Sequence, residues 1–174
     1  RFFEYAYDDA GRLESRTDHL GNTRRFEYDD AGRLTAVTEG DGTPIVTYSY
    51  DAVGRLRTET LANDLVTTHG YDHAGRTTSM VTRRPDNSIL SSYAFVYDNR
   101  GLVVSETTPH GTWEYQYDTL DRLIAAQFQS VNPGISYQHL TYEYDAVGNR
   151  IRVTNNGVET VYTTNTADQY TQIG

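Results

Sequence analysis

Aromatic and polar residues alternate along this chain in short bursts with a period of two. Phe3, Tyr5 and Tyr7 share one parity, as do Phe26 with Tyr28, Tyr48 with Tyr50, and Tyr93, Phe95 and Tyr97. Trp113, Tyr115 and Tyr117 repeat the pattern, and Leu140, Tyr142 and Tyr144 follow. Such alternation predicts strands with one packed face, and Tyr, Thr, Phe and Val suit a pleated surface. Each burst ends in Tyr-Asp, with a glycine usually three residues after the aspartate. Aspartate hydrogen-bonds the backbone two residues on, and glycine takes a positive φ without steric cost, so a turn is expected. A second run, such as Arg33-Leu34-Thr35-Ala36-Val37-Thr38, then returns as the other strand of a hairpin.

The unit recurs. Tyr7-Asp8-Asp9-Ala10-Gly11-Arg12, Tyr28-Asp29-Asp30-Ala31-Gly32-Arg33, Tyr50-Asp51-Ala52-Val53-Gly54-Arg55 and Tyr71-Asp72-His73-Ala74-Gly75-Arg76 are near copies. Looser copies carry Tyr97, Asp98 and Gly101, then Tyr117, Asp118 and Arg122, then Tyr144, Asp145 and Gly148. A degenerate last unit is expected near 164–170. From tyrosine to tyrosine the steps are 21, 22, 21, 26, 20 and 27 residues, a period that means a repeat architecture. Second turns are expected at Leu20-Gly21-Asn22, 40–44, Asn63-Asp64, Pro109-His110-Gly111 and Asn155-Asn156-Gly157, with the two longer steps absorbed at 83–88 and 129–134. The expected fold is all-β: residues 1–174 as a single array of seven to eight hairpins forming one long twisted antiparallel sheet. A lone hairpin is marginal in water, so neighbours stabilise one another.

Charge narrows the function. The net charge is −9, with 24 acidic residues against 15 basic, the wrong sign for a nucleic-acid or anionic-membrane surface. Every basic residue is arginine; base composition of the source genome or arginine's ability to stack and to fork both account for this. With no cysteine, neither disulfides nor thiolate metal sites arise. Fifteen tyrosines supply apolar faces with polar tips. The chain opens on Arg1 inside an expected strand, which reads as a piece of a longer polypeptide.

The repeated side chains have a structural reading. The tyrosines are expected to stack on their counterparts in the next hairpin. The arginines are expected to lie over those rings as cation–π partners and to reach turn aspartates. Neither the acidic clusters at Asp8-Asp9 and Asp29-Asp30 nor the pair His69 and His73 matches a metal-binding spacing. There is no nucleophile elbow and no distinguished carboxylate pair, so no enzyme, metal or cofactor is expected. Trp113, Tyr115 and Tyr117 form the one candidate platform for stacking a sugar ring.

The motif Gly-x-x-x-x-aromatic-x-Tyr-Asp-x-x-Gly-Arg-Leu, read most closely from Gly21 to Leu34, resembles the tyrosine-aspartate (YD) repeat of the Rhs family. That family includes bacterial Rhs toxins, insecticidal toxin-complex subunits and teneurins. The resemblance implies a secreted or cell-surface protein whose hairpins spiral into a hollow β-shell, within which bacterial members hold a C-terminal toxin domain. Seven or eight hairpins would form an arc of that wall. The family's autoproteolytic Asp-Pro motif has no counterpart in this sequence, so neither that protease nor a toxin is assigned. The expected function is a non-enzymatic scaffold segment whose partner is the remainder of its polypeptide, including cargo. The alternative is an extracellular module that binds carbohydrate or protein. Membrane insertion is not expected, while edge-to-edge self-association of the isolated sheet is.

Overall fold

The computed structural model describes residues 2–165, 167 and 169–173. Strands account for nearly all regular structure, and they come in pairs flanking each Tyr-Asp turn. The first unit, Arg1–Ser91, contains β1 and β2 (Phe3–Tyr7, Leu13–Asp18), β3 and β4 (Thr23–Tyr28, Leu34–Glu39), β5 and β6 (Pro44–Tyr50, Leu56–Leu61), and β7 and β8 (Val66–Tyr71, Thr77–Arg83). The second unit, Ser92–Gly174, takes in most of β9 (Ile89–Tyr97) with β10 (Val103–Thr108), then β11 and β12 (Gly111–Tyr117, Leu123–Ser130). It closes with β13 and β14 (Gln138–Tyr144, Arg150–Asn155) and β15 and β16 (Val158–Thr164, Tyr170–Ile173). Within each unit, consecutive strands pair antiparallel in sequence order, with no crossover. Two residues of the degenerate last repeat, Thr166 and Asp168, lie outside the described residues; the flanking pair Thr164 and Tyr170 is in register.

The front turns and the back turns at 18–22, 39–43, 61–65 and 84–88 use one geometry. In the front turn Asp8 N–H donates to Arg12 O and Gly11 N–H donates back to Asp8 O, each at 2.9 Å. In the back turn Asp18 and Asn22 do the same, with Gly21 N–H returning to Asp18 O. The fourth residue of this turn needs a positive φ, which Gly11 (76°) and Gly21 (85°) adopt without the steric penalty that a Cβ brings. Asp64, Asn87 and Asp121 fill the same position at 59°, 68° and 62°. The Arg84–Ser88 turn has this compact form too. The long step after Tyr71 is therefore taken up not at 83–88 but by longer strands, seven residues in β8 and nine in β9. The other long step does lie in a turn, beyond Ser130.

Every hairpin carries a bulge just after its front turn. Tyr28 pairs with Leu34 and Glu27 with Ala36, leaving Thr35 as the extra residue. Glu14, Arg57, Thr78, Val104, Ile124 and Ile151 occupy the same place elsewhere. Such an insertion increases local twist and disrupts the ladder. The core is correspondingly thin. Ala36, Val46, Ala125, Ala126, Phe128 and Thr38 are buried, and no described side chain is completely enclosed. A single layer of sheet offers little apolar burial, so side-chain links between hairpins carry unusual weight.

Candidate functional site

The best-defined constellation lies along the row of front turns. Asp8 Oδ1 accepts the backbone N–H groups of Ala10 and Arg12 at 3.0 and 2.8 Å, while Oδ2 accepts Arg12 Nε at 2.7 Å. Asp29, Asp51, Asp72 and Asp118 hold Arg33, Arg55, Arg76 and Arg122 in the same way. These bonds hold the carboxyls below the ordinary aspartate range. At Asp29 the Arg33 side chain contributes most, followed by the Arg33 backbone N–H; at Asp8 and Asp51 the backbone N–H of Arg12 and Arg55 leads.

The pinned arginine then reaches the next hairpin. Arg12 Cζ sits 4.7 Å from the centroid of Tyr28, and Arg12 Nη1 approaches Asp29 O at 3.4 Å. Arg33 lies over Tyr50 at 4.6 Å, Arg55 over Tyr71 at 4.5 Å and Arg122 over Tyr144 at 4.8 Å. The expected tyrosine-on-tyrosine stacking is thus replaced by guanidinium on tyrosine: the cation, tethered at one edge by aspartate, occupies the ring face.

The far tip of the same ring closes the gap left by the bulge. Tyr28 Oη donates to Leu13 O at 3.0 Å, Tyr50 to Leu34 O at 2.7 Å and Tyr71 to Leu56 O at 2.8 Å. Tyr117 and Tyr144 do so to Val103 O and Leu123 O, both at 2.8 Å. The need is visible in the register. The β2–β3 ladder runs only from Ser15/Arg25 to Thr17/Thr23, so the strands part before the front turn and Tyr28 spans the opening. Tyr7, in β1, is 61% exposed, whereas Tyr28, Tyr50 and Tyr71 are half-buried.

Several members of this lock are not obvious from the motif. In the fifth repeat Arg100, one residue ahead of Gly101, binds Asp98 at 2.9 Å, and it also reaches Asp118 O at 3.0 Å and Asp121 at 2.6 Å. In the seventh, Asn149 takes the arginine's place on Asp145 at 3.1 Å. The ring contact there passes to Arg150, 4.8 Å from Tyr162, and Tyr170 Oη accepts Arg150 N–H at 3.1 Å. The one available signal is an arginine displaced by one or two positions from its repeat place.

Trp113, Tyr115 and Tyr117 share a face of β11. Trp113 and Tyr115 are parallel with centroids 6.2 Å apart, and Trp113 leans on Phe128 at 5.0 Å. Tyr115 Oη donates to Glu106 at 3.0 Å; burial first, then this bond and the Glu106 charge, pushes its ionisation above the usual tyrosine value. Tyr117 spends its hydroxyl on the lock. Trp113 also borders an apolar concavity of about 360 Å³ with Tyr93, Pro109, His110, Phe128 and Ile135. Among the described residues no group of three metal-ligating side chains comes together, and no helix is long and apolar enough to cross a membrane.

Hairpins joined by a recurring Asp–Arg–Tyr lock along the front turns define an all-β repeat scaffold. The RHS Repeat family model matches residues 7–44, 47–86 and 97–127, more than half of the chain, which therefore belongs to that family. No curated protein matches it in sequence. Among solved structures, it is similar to the TcdB2–TccC3 structure without the hypervariable C-terminal region, at 26% identity with a TM-score of 0.83, covering 97% of this chain and 10% of that one. It is also similar to the Photorhabdus luminescens Tc holotoxin pore carrying a TccC3 substitution, at 26% identity and a TM-score of 0.81, covering 93% and 10%. The chain thus spans about a tenth of the length of these solved chains.

Proposed function

We propose that this chain is a stretch of wall in a hollow, secreted β-shell that shelters a toxin domain of its own polypeptide, and that it catalyses nothing itself. The structural role follows from family membership; encapsulation is the further step. It is supported above all by the match over 97% of the chain to a toxin-complex subunit pair. The lock suits the task. It joins hairpin to hairpin through one row of side chains, so a wall one sheet thick holds together without a second layer to pack against. In this reading residues 1–174 are one continuous array of seven to eight repeats, and their partner is the remainder of the polypeptide. The toxin-complex relatives lend nothing to the carbohydrate-binding alternative.

Electron cryo-microscopy of the full-length parent polypeptide tests this. A closed cavity, with residues 1–174 in its wall and additional chain inside, is the expected result. An open ribbon with solvent on both faces of these hairpins would overturn encapsulation and leave only the scaffold.

A further inference from the structure

The repeat frame exposes one departure on the tyrosine-bearing face. Nine residues after a Tyr-Asp tyrosine comes a position that pairs, across the ladder between hairpins, with the residue four before the next such tyrosine. That pair is Val37 with Val46, Glu59 with Thr67, Glu106 with Trp113, and Ala126 with Leu140. Between the first and second hairpins it is Arg16 with Arg24.

Two cations directly opposite one another on one face of a sheet are destabilising. Among the described residues neither has a carboxylate within ion-pair distance: Arg16 lies over the Phe3 ring at 5.0 Å, and Arg24 is exposed, with Glu39 its cross-strand partner on β4 but not ion-paired to it. In a chain of net charge −9 the pair does not reflect a general surplus of positive charge. Both arginines border a concavity of about 520 Å³, together with Phe3, Asp18, Asn22 and Glu39. The Asp18 carboxylate is already committed to its turn, accepting Leu20 N–H, Asn22 N–H and Asn22 Nδ2 at 2.8, 3.0 and 2.9 Å.

We propose that Arg16 and Arg24 form a binding site for the oxyanion of a small ligand, held between their two guanidinium forks. The planar fork matches carboxylate, sulfate and phosphate in two-point fashion, and an anion between the cations removes their repulsion. Asp18 and Glu39 on the rim oppose a second negative charge, so a singly charged carboxylate is preferred to a dianion. Asn22 offers a further polar group at the same mouth.

Thermal unfolding of the 174-residue chain at constant ionic strength tests the site, comparing sodium chloride with sodium acetate, sulfate and phosphate. Saturating acetate should raise the Tm of the wild type by about 3 °C more than chloride does. Sulfate and phosphate should raise it less. Arg24→Val, which puts the residue type of Val46 at the equivalent position opposite Arg16, should melt above the wild type in chloride and lose the acetate-dependent rise. Should that variant fail to fold, Arg24→Gln carries the same loss of response. In nuclear magnetic resonance titrations the backbone amides of Asn22 and Arg24 should shift saturably with acetate. Equal responses in wild type and variant, or no saturable response to any of the three anions, would overturn the site. A larger response to phosphate than to acetate would keep the site and overturn its preference for a single charge.

Discussion

Tyr28, Tyr50, Tyr71 and Tyr144 each act at two places at once, the face under an arginine and the tip on a carbonyl of the preceding hairpin. Tyr28→Phe keeps the first and removes the second, leaving Leu13 O without its partner in a part-buried position. It should cost about 1 kcal/mol in urea unfolding, whereas Tyr7→Phe, on a ring 61% exposed, should change little. The turn position that demands a positive φ offers a paired test. Gly54→Ala, at 90°, should destabilise by about 1–2 kcal/mol, while Asp64→Gly, at 59°, should stabilise by a few tenths to about 1 kcal/mol. The pH dependence follows from the turn aspartates. Asp8, Asp29, Asp51 and Asp118 have folded pKa values below the ordinary 3.8. The unfolded chain therefore binds more protons across this window, so their contribution is complete above about pH 4 and drains away as pH falls through the lower folded values. Urea midpoints measured from pH 7 to pH 2 should trace that loss, and Asp29→Asn should shrink its amplitude. Asp, Gly, Arg and Tyr were all legible as a repeating set, because chemistry that must recur leaves a recurring letter. Their wiring was not, since alternation reports which face a ring occupies and not what its hydroxyl meets.

At the scale of the hairpin, one internal deletion separates register from composition. Removing residues 29–50 joins Tyr28 to Asp51, so that Arg12 still meets a Tyr-Asp tyrosine and Arg55 still meets Tyr71. The shortened chain should fold, with a circular dichroism spectrum of unchanged shape and a lower unfolding midpoint, as expected when stability sums over neighbours. Removing 29–39 instead strands β3 without its bulged partner and should abolish cooperative unfolding. The strands themselves followed from the Phe26/Tyr28 and Tyr48/Tyr50 alternation. The bulges did not: Thr35, Arg57 and Ile124 have nothing in common as side chains, and their place is set by the turn and by the carbonyl that the next tyrosine caps. The back turns were harder still, because Asp64 and Asn87 stand where glycine would have announced the geometry. The first long step was misplaced for the same reason.

For the molecule as a whole, family membership came through Gly21–Leu34 and its copies, while the Arg16–Arg24 pair is visible only once the register sets it beside Val37 and Val46. The outer strand β1 leaves Phe3, Tyr5 and Tyr7 exposed at 51%, 53% and 61%. An isolated 174-residue chain should accordingly self-associate through that edge. Sedimentation velocity should show the average mass rising with concentration, and a strict monomer at high concentration would count against an open edge. The direction of the lock has one more consequence. Leu13 O waits for Tyr28, Leu34 O for Tyr50 and Leu56 O for Tyr71, so each hairpin is sealed by a residue translated later. A chain emerging from the ribosome can finish one hairpin at a time. The unfinished bond is always at the growing front, and nothing already built has to reopen to admit the next.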